Sequence, residues 1–141
     1  MPYRLSVLTN RVSDAIARHY SRRFCLSIPE WRVMAVLGQT PGLSAREVAE
    51  RTAMDKVRVS RAVQSLLADK RLTRVAHVRD GRVTHLSLSA KGQAIYDEVV
   101  PLALHLEKQF LAVLNGEEQK NLDILLTKLT HHMAHIPTGK V

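Results

Sequence analysis

The sequence predicts a mainly α-helical fold of the α+β class, with long helices at both ends, a helix-turn-helix between them and one short β-hairpin. Three observations predict it. Apolar residues recur at three- and four-residue steps near both ends of the chain. Two Ser-x-x-Glu capping boxes stand close together in its first half. An Asp-Gly pair separates two short strand-like segments just after the midpoint.

Length and composition restrict the class of protein. The chain has 141 residues, of which 45% are hydrophobic and 24% charged, so one compact domain is expected rather than a collagen-like, disordered or disulfide-stapled chain. The single cysteine, Cys25, has no partner within the chain for a disulfide, and no secretion signal precedes it, which predicts a cytoplasmic protein. The longest apolar runs, at 33–37 and 110–114, are far shorter than the roughly 20 residues of a membrane helix.

The positive charge is concentrated in the middle of the chain. The net charge is +8 overall, divided as +4 over residues 1–43, +6 over residues 44–92 and −2 over residues 93–141. A basic region of this kind favours a polyanion such as nucleic acid. Residues 44–92 contain no Phe, Tyr or Trp, which argues against a single-strand binder that stacks bases on aromatic rings.

The first two helices are predicted from periodicity and caps. Leu5, Leu8, Val12 and Ile16 form one apolar stripe of a helix over about residues 3–24. Ser27 and Glu30 then form a capping box for a second helix, about 28–38, which is expected to bring Trp31, Met34 and Leu37 into the core.

The helix-turn-helix follows directly. Ser44 and Glu47 open a short helix, about 44–51, and Asp55 is a suitable N-cap for a further helix to about Lys70. One face of that helix is apolar, with Val59, Ala62, Val63 and Leu66. The opposite face, here called the basic face, holds Lys56, Val57, Arg58, Ser60, Arg61 and Gln64. Arg and Gln pair with guanine and adenine edges, so we interpret this as a recognition helix rather than a merely solvated surface.

A β-hairpin is predicted after the recognition helix. Segments 72–78 and 82–88 flank Asp80-Gly81, which is typical of a two-residue turn. The tip carries Arg79 and Arg82, a pair that can enter a minor groove. A solvated turn is the alternative for these two arginines.

The last third of the chain is predicted to form a dimer. Ser89 caps a long helix that Pro101 should kink, and a final helix with Leu122, Leu125, Leu126, Leu129 and Met133 follows Asn115-Gly116. We expect three parts: 1–27, the first helix, for dimerisation and a ligand pocket; 28–92, the DNA-binding lobe; and 93–141, two helices for dimerisation.

Ordered motifs across the whole chain resemble the MarR family of winged-helix transcriptional regulators. They are the segments 43–49 (LSAREVA), 56–61 (KVRVSR), 80–82 (DGR) and 88–92 (LSAKG). The resemblance implies a winged helix-turn-helix with an N- and C-terminal helical dimerisation domain. It also implies a homodimer on a pseudo-palindromic operator in double-stranded DNA. By the same resemblance, Arg82 enters the minor groove and Asp80 braces the wing.

Two features depart from the family pattern. Arg71 stands where many members have a Gly that closes the recognition helix in a left-handed conformation. The hairpin is about one residue tighter and lacks the acidic, Pro-containing tip that is common in the family.

The predicted DNA contacts are Ser44, Lys56, Val57, Arg58, Ser60, Arg61, Gln64, Arg79, Asp80 and Arg82.

An effector site is expected between the first two helices. His19 continues the apolar stripe of the first helix and is either a hydrogen-bonded core histidine or a contact to an acidic effector. The first helix also carries an arginine stripe, Arg4, Arg11, Arg18 and Arg22, which is either solvated or holds phosphates. The residues assigned to an effector are Arg11, Arg18, His19, Arg22, Trp31 and Arg32.

The predicted function is a repressor, released from DNA by a small aromatic acid or its coenzyme A thioester. A redox- or metal-responsive regulator of the same fold is the alternative, through Cys25 or through His131, His132 and His135. For Cys25 a small buried hydrophobe is the default, and for the histidines a frayed polar C-terminus is the default. Neither a catalytic constellation nor a cofactor motif is recognisable, so an enzyme is not expected.

Overall fold

The computed structural model describes residues 1–76 and 78–137 of the chain. Within them the fold is mainly helical with one two-stranded antiparallel sheet, so the predicted α+β class is confirmed. The elements follow in the order α1 (Pro2–Phe24), α2 (Ile28–Gln39), α3 (Ala45–Thr52), α4 (Lys56–Ala68), β1 (Leu72–Ala76), β2 (Thr84–Leu88), α5 (Ala90–Leu111) and α6 (Gly116–Met133).

The predicted caps set the starts of three of these helices. The Ser27 hydroxyl accepts the amide of Glu30 at 3.3 Å, and the Glu30 carboxylate accepts the amide of Ser27 at 2.8 Å. Ser44 and Glu47 repeat this reciprocal pair at the start of α3. Asp55 caps α4 by accepting the amide of Arg58 at 2.8 Å. Because each cap satisfies otherwise unpaired helical amides, the helix starts are determined locally.

The chain divides into two compact units, and the first, Met1–Ala103, contains the hydrophobic core. Its largest fully buried side chains are Tyr20, Met34, Leu37, Leu66 and Leu86. The predicted apolar face of α4, Val59, Ala62, Val63 and Leu66, is buried in this core. Trp31 is partly buried against it. The core therefore holds α4 with one side inward and the other side outward.

The hairpin differs from the predicted two-residue turn. The register pairs Leu72 with Leu88 and Ala76 with Thr84, which centres the connection on Asp80 rather than between Asp80 and Gly81. The strands are also shorter than expected next to the turn, since β1 ends at Ala76 and β2 begins at Thr84. The turn is instead closed by the Asp80 carbonyl, which accepts the amide of Val83 at 3.1 Å. This i to i+3 bond defines a four-residue turn over residues 80–83, and the connection is longer than the Asp-Gly pair indicated because the strands end at Ala76 and begin at Thr84.

The recognition helix ends without a glycine. Lys70 takes the left-handed conformation, with φ of 58°. Its amide donates to the Leu67 carbonyl at 3.0 Å, and the amide of Arg71 donates to the Leu66 carbonyl at 2.8 Å. This is a Schellman motif whose left-handed residue is Lys70. The helix end is thus capped differently from the family pattern, because Lys70 rather than a glycine takes the left-handed conformation and Arg71 does not.

The second unit begins at Leu104 and contains the end of α5 together with α6. Asn115 caps α6 by accepting the amide of Glu118 at 3.0 Å. No residue of α6 is buried within the single chain. Its exposed apolar side chains include Ile124, Leu125, Leu126, Leu129 and Met133. Among the described helices, none combines the length and the apolar character needed to cross a bilayer.

Candidate nucleic-acid interface

The connection between α3 and α4 is a tight turn. Thr52 is the last residue of α3, and Ala53 follows it in the left-handed conformation, with φ of 53°. Met54 is buried, and Asp55 then caps α4. On α3, Val48 and Ala49 are buried in the same core. A short connection that is anchored in the core by one buried side chain holds the second helix of the pair in a defined orientation.

The basic face of α4 is solvent-exposed along its length. Its members, Lys56, Val57, Arg58, Ser60, Arg61 and Gln64, are all exposed, whereas Val59, Ala62, Val63 and Leu66 are buried. Val57 is 60% exposed although it is apolar. Three cations, a hydroxyl, an amide and an apolar group on one exposed helix face supply both phosphate contacts and base-edge contacts.

Ser44, which directly precedes α3, is also a predicted DNA contact. Ser44 is half-buried, and its hydroxyl is occupied by the cap of α3. The pKa of Glu47 is lowered, first because its carboxylate accepts the backbone amide of Ser44 and then through the Ser44 side chain. The carboxylate therefore stays ionised at the positive end of α3, where it stabilises the helix. For Ser44 the structure shows a cap, and a DNA contact remains a proposal.

The wing, residues 72–88, presents arginines at its tip. Arg79 and Arg82 are both exposed. The Asp80 carboxylate accepts the amide of Arg82 at 3.1 Å, so Asp80 orders the backbone beside that arginine. The base of the wing is attached to the loop after α2, since Leu86 and Leu43 pair through a backbone bond of 2.8 Å. The wing and α4 lie in the same compact unit.

The expected effector residues on α1 are on its exposed side. Arg11, Arg18 and Arg22 are exposed, and so is His19. The prediction of a hydrogen-bonded core histidine at position 19 is therefore wrong for the single chain. Tyr20, the next residue, is buried in its place, with 1% of its surface exposed. Successive helical residues point about 100° apart. A small error in the predicted direction of the apolar stripe therefore assigns burial to His19 instead of Tyr20.

An aromatic cluster, Tyr20, Trp31 and Tyr96, lies between α1, α2 and α5. The ring centroids are 5.6 Å apart for Tyr20 and Trp31, and 6.1 Å apart for Trp31 and Tyr96. Gly38 leaves the space that the Tyr96 ring occupies, because a β-carbon there would overlap the ring. Trp31 was predicted from the sequence, and neither Tyr20 nor Tyr96 was. The spacing of Tyr20, four residues after Ile16, was the signal that could have found it.

Polar groups border this cluster. Burial raises the pKa of Tyr20 to about 12, and the nearby charge of Arg32 acts in the opposite direction. The Arg32 guanidinium donates to the Ser13 hydroxyl at 3.2 Å and is half-buried. Aromatic rings beside a partly buried guanidinium are the chemistry that an aromatic carboxylate requires.

The candidate sensing residues are Cys25 and the histidines near the end of α6. Cys25 is exposed, with φ of 50°, at the end of α1, so the expected buried hydrophobe at this position is wrong. The rings of His131 and His135 stack at 5.2 Å, and Nδ1 of His135 lies 2.7 Å from the carbonyl oxygen of His131. Across residues 1–76 and 78–137, no three His, Cys, Asp or Glu side chains are grouped to hold a metal ion.

Comparison with known proteins identifies the family. The model of the MarR family matches residues 26–83, the segment that carries α3, α4 and the hairpin tip. The chain belongs to the MarR family. A MarR/EmrR family transcriptional regulator from Acinetobacter sp. ADP1 superposes with a TM-score of 0.87, at 27% identity over 96% of this chain and 95% of the other. The winged-helix fold expected of a MarR protein is thereby confirmed.

Two further similar proteins are also transcriptional regulators. The HTH-type transcriptional regulator BilQ of Clostridium symbiosum is 34% identical over 93 residues, which is 66% of this chain and 65% of that protein. The PcaV transcriptional regulator of Streptomyces coelicolor, solved with its natural ligand, superposes with a TM-score of 0.72 at 25% identity, covering 88% of this chain and 89% of that chain. The MarR family and these neighbours are transcriptional regulators and not enzymes.

Proposed function

We propose that this MarR-family chain is a cytoplasmic transcriptional regulator that binds double-stranded DNA through α4 and the wing. The observation that carries the proposal is the division of α4 into one buried apolar face and one exposed basic face. The core fixes the orientation of the helix, so the basic face is presented as a rigid surface. An α-helix with Arg and Gln on such a face fits the major groove, where those side chains discriminate base pairs.

The roles within the interface follow from the side chains. Arg61, Gln64 and Ser60 contact base edges, and Val57 contacts the methyl group of thymine. Lys56 and Arg58, in the first turn of α4, contact phosphates. Arg79 and Arg82 enter the neighbouring minor groove while Asp80 holds the tip, and Ser44 places α3 against the backbone.

The proposed assembly is a homodimer formed by the two ends of the chain. Ile124, Leu125, Leu126, Leu129 and Met133 are exposed on α6 in the single chain. So are Leu5 and Leu8 of α1. Several large apolar side chains exposed on one helix mark an interaction site, and two-fold symmetry matches a pseudo-palindromic operator. Residues 1–27 and 93–141 then serve dimerisation, and residues 28–92 form the DNA-binding lobe.

Selection from random duplexes tests DNA binding. The full chain is used to enrich duplexes over several rounds, and the products are sequenced. We expect the enriched duplexes to contain an inverted repeat whose half-sites are centred about 10 base pairs apart. A pool with no enriched sequence would contradict it, and enrichment of one unrepeated half-site would contradict the dimer.

We infer further that the regulator is a repressor released by a small aromatic acid or its coenzyme A thioester. The partly exposed rings of Trp31 and Tyr96 supply ring contacts, and Arg32 supplies a positive group at the border of the cluster. The exposed Arg11, Arg18 and Arg22, with His19 between them, supply groups for a phosphate-bearing tail. That PcaV is solved with its natural ligand supports a small-molecule effector. Such a ligand releases DNA when it binds the DNA-incompatible state more tightly.

The effector is tested by titration into the protein–operator complex. Benzoic and hydroxycinnamic acids and their coenzyme A thioesters are compared on wild type, Arg18→Ala, His19→Ala and Arg32→Met. Free acids that release DNA from wild type and Arg18→Ala equally would exclude the thioester. Release by neither series would exclude this effector class. Loss of response in Arg32→Met alone is the result expected of a carboxylate held by Arg32.

A further inference from the structure

Arg71 connects the end of α4 to two other helices of the first unit. Its amide closes α4 on the Leu66 carbonyl, and its own carbonyl accepts the amide of Ser89 at 3.0 Å, directly before α5. Its guanidinium Nη2 donates to the carbonyl oxygen of Phe24, the last residue of α1, at 2.5 Å. A single residue therefore contacts the ends of α1 and α4 and the start of α5.

Neighbouring residues strengthen the connection between α4 and α5. The Ser89 hydroxyl donates to the Lys70 carbonyl at 2.6 Å, and the Lys91 ammonium donates to the Asp69 carbonyl at 2.9 Å. The connection to α1 is different in kind, because it is made by the Arg71 side chain across 47 residues of sequence.

Stability of the fold does not account for the burial of the Arg71 guanidinium. Arg71 is 8% exposed and is the one buried charged residue in the described part of the chain. Its Nε and Nη1 have no hydrogen-bond partner among residues 1–76 and 78–137. Buried cations with unsatisfied donors destabilise a fold, and an apolar side chain of similar volume usually does not. What the guanidinium does provide is the hydrogen bond to Phe24.

We propose that Arg71 is a positioning residue that fixes the recognition helix relative to α1. The proposal rests on the proposed function, in which α4 contacts DNA and α1 contributes to the dimer. In a homodimer joined through α1, the separation of the two recognition helices depends on how each is held against its own α1. A hydrogen bond from the end of α4 to the end of α1 restricts that separation. The same bond transmits a movement of α1 to α4.

Three variants separate positioning from loss of charge. Arg71→Met keeps an unbranched side chain and removes the donors. Arg23→Met removes the same charge one residue before Phe24, where Arg23 forms an exposed ion pair with Glu98 at 2.7 Å. Exposed pairs of this kind contribute little to stability. Arg71→Lys restores one donor and should recover the wild-type behaviour.

The first measurement needs no DNA. Spin labels are placed on Asp14→Cys of α1 and Gln64→Cys of α4 in a Cys25→Ser background, and labelled chains are diluted with unlabelled ones. The distance distribution should become about twice as wide in Arg71→Met and stay narrow in Arg23→Met and Arg71→Lys. A narrow distribution in folded Arg71→Met would overturn the proposal. Loss of the folded state in both Arg71→Met and Arg71→Leu would also overturn it, since the role would then be stability.

The second measurement uses the selected operator and a version with one base pair inserted between the half-sites. Wild type and Arg23→Met should lose about tenfold in affinity on insertion, and Arg71→Met less than about threefold. Equal losses in all three proteins would overturn the proposal. If wild type selects no duplex, the proposed function fails, and the spin-label distances still decide whether Arg71 positions α4.

Discussion

Gly92 packs directly against the carbonyl oxygen of Arg71. A β-carbon built at position 92 would overlap that oxygen and would lie 3.0 Å from the Arg71 carbonyl carbon. The same oxygen accepts the amide of Ser89, so it cannot move away without losing a hydrogen bond. The first turn of α5 is therefore fitted to the end of the recognition helix, and only a residue without a side chain fits there.

Gly92→Ala is expected to destabilise the first unit by about 2–4 kcal/mol, because the added methyl group forces two backbone segments apart. Thermal and urea unfolding of the full chain measure the change. Gly116→Ala is the matched control, since nothing lies within 4 Å of a β-carbon at position 116. Equal stability of the two variants would show that the contact between Gly92 and Arg71 is looser than the structure indicates.

The stability of the first unit should fall at alkaline pH because of Tyr20. Burial raises the pKa of Tyr20 from 10.0 to about 12. Between those values the unfolded chain releases the phenolic proton and the folded chain keeps it, so the free energy of unfolding decreases as pH rises. The stabilising effect is complete below pH 10 and is lost as pH rises through about 12.

The control for this prediction is Tyr20→Phe, which cannot ionise. Urea unfolding across this pH range should give a steeper loss of stability for wild type than for Tyr20→Phe. Parallel curves for the two proteins would mean that Tyr20 titrates alike in the folded and unfolded states.

Local signals in the sequence predicted the helix starts and the inward face of α4. Ser27, Ser44 and Asp55 cap helices through groups only three residues away, so neighbouring sequence is sufficient. The division between buried Val59 and exposed Arg61 follows from helical periodicity alone.

Features that depend on distant partners were not predictable in this way. The hairpin register depends on pairing between two strands, and the Asp80-Gly81 signal did not reveal that the connection centres on Asp80. Burial of Tyr20 rather than His19 depends on the Trp31 ring of α2. Burial of Arg71 depends on a carbonyl in α1, which no local pattern indicates.

DNA affinity should depend steeply on salt. If Lys56 and Arg58 at phosphates and Arg82 in the minor groove each displace one counterion per subunit, the logarithm of the association constant falls against the logarithm of salt with a slope of about −5. Arg82→Ala should make that slope shallower by about 2, because one contact is lost per subunit. Fluorescence anisotropy over a salt series measures it. A nearly flat response in wild type would exclude this electrostatic interface.

Polar substitution on α6 should disrupt the dimer. Leu125 and Leu129 are 57% and 53% exposed in the single chain, and burial of each at an interface stabilises association by about 1–2 kcal/mol. Leu125→Gln/Leu129→Gln should sediment as a monomer at micromolar concentration and lose tight operator binding. Lys120→Gln, on the same helix, is the control and should remain dimeric. A monomeric double variant that still binds the full operator tightly would contradict the assembly.

Replacement of Arg61 by Ala shows whether the basic face of α4 contacts base edges. Affinities are measured for the selected operator and for every single-base change in one half-site, with Lys56→Ala as the control for a phosphate contact. Arg61→Ala is expected to lose about 1–3 kcal/mol at one preferred base pair and to relax specificity there, while Lys56→Ala weakens binding to all sequences alike. A uniform loss for Arg61→Ala, with every base preference unchanged, would contradict it.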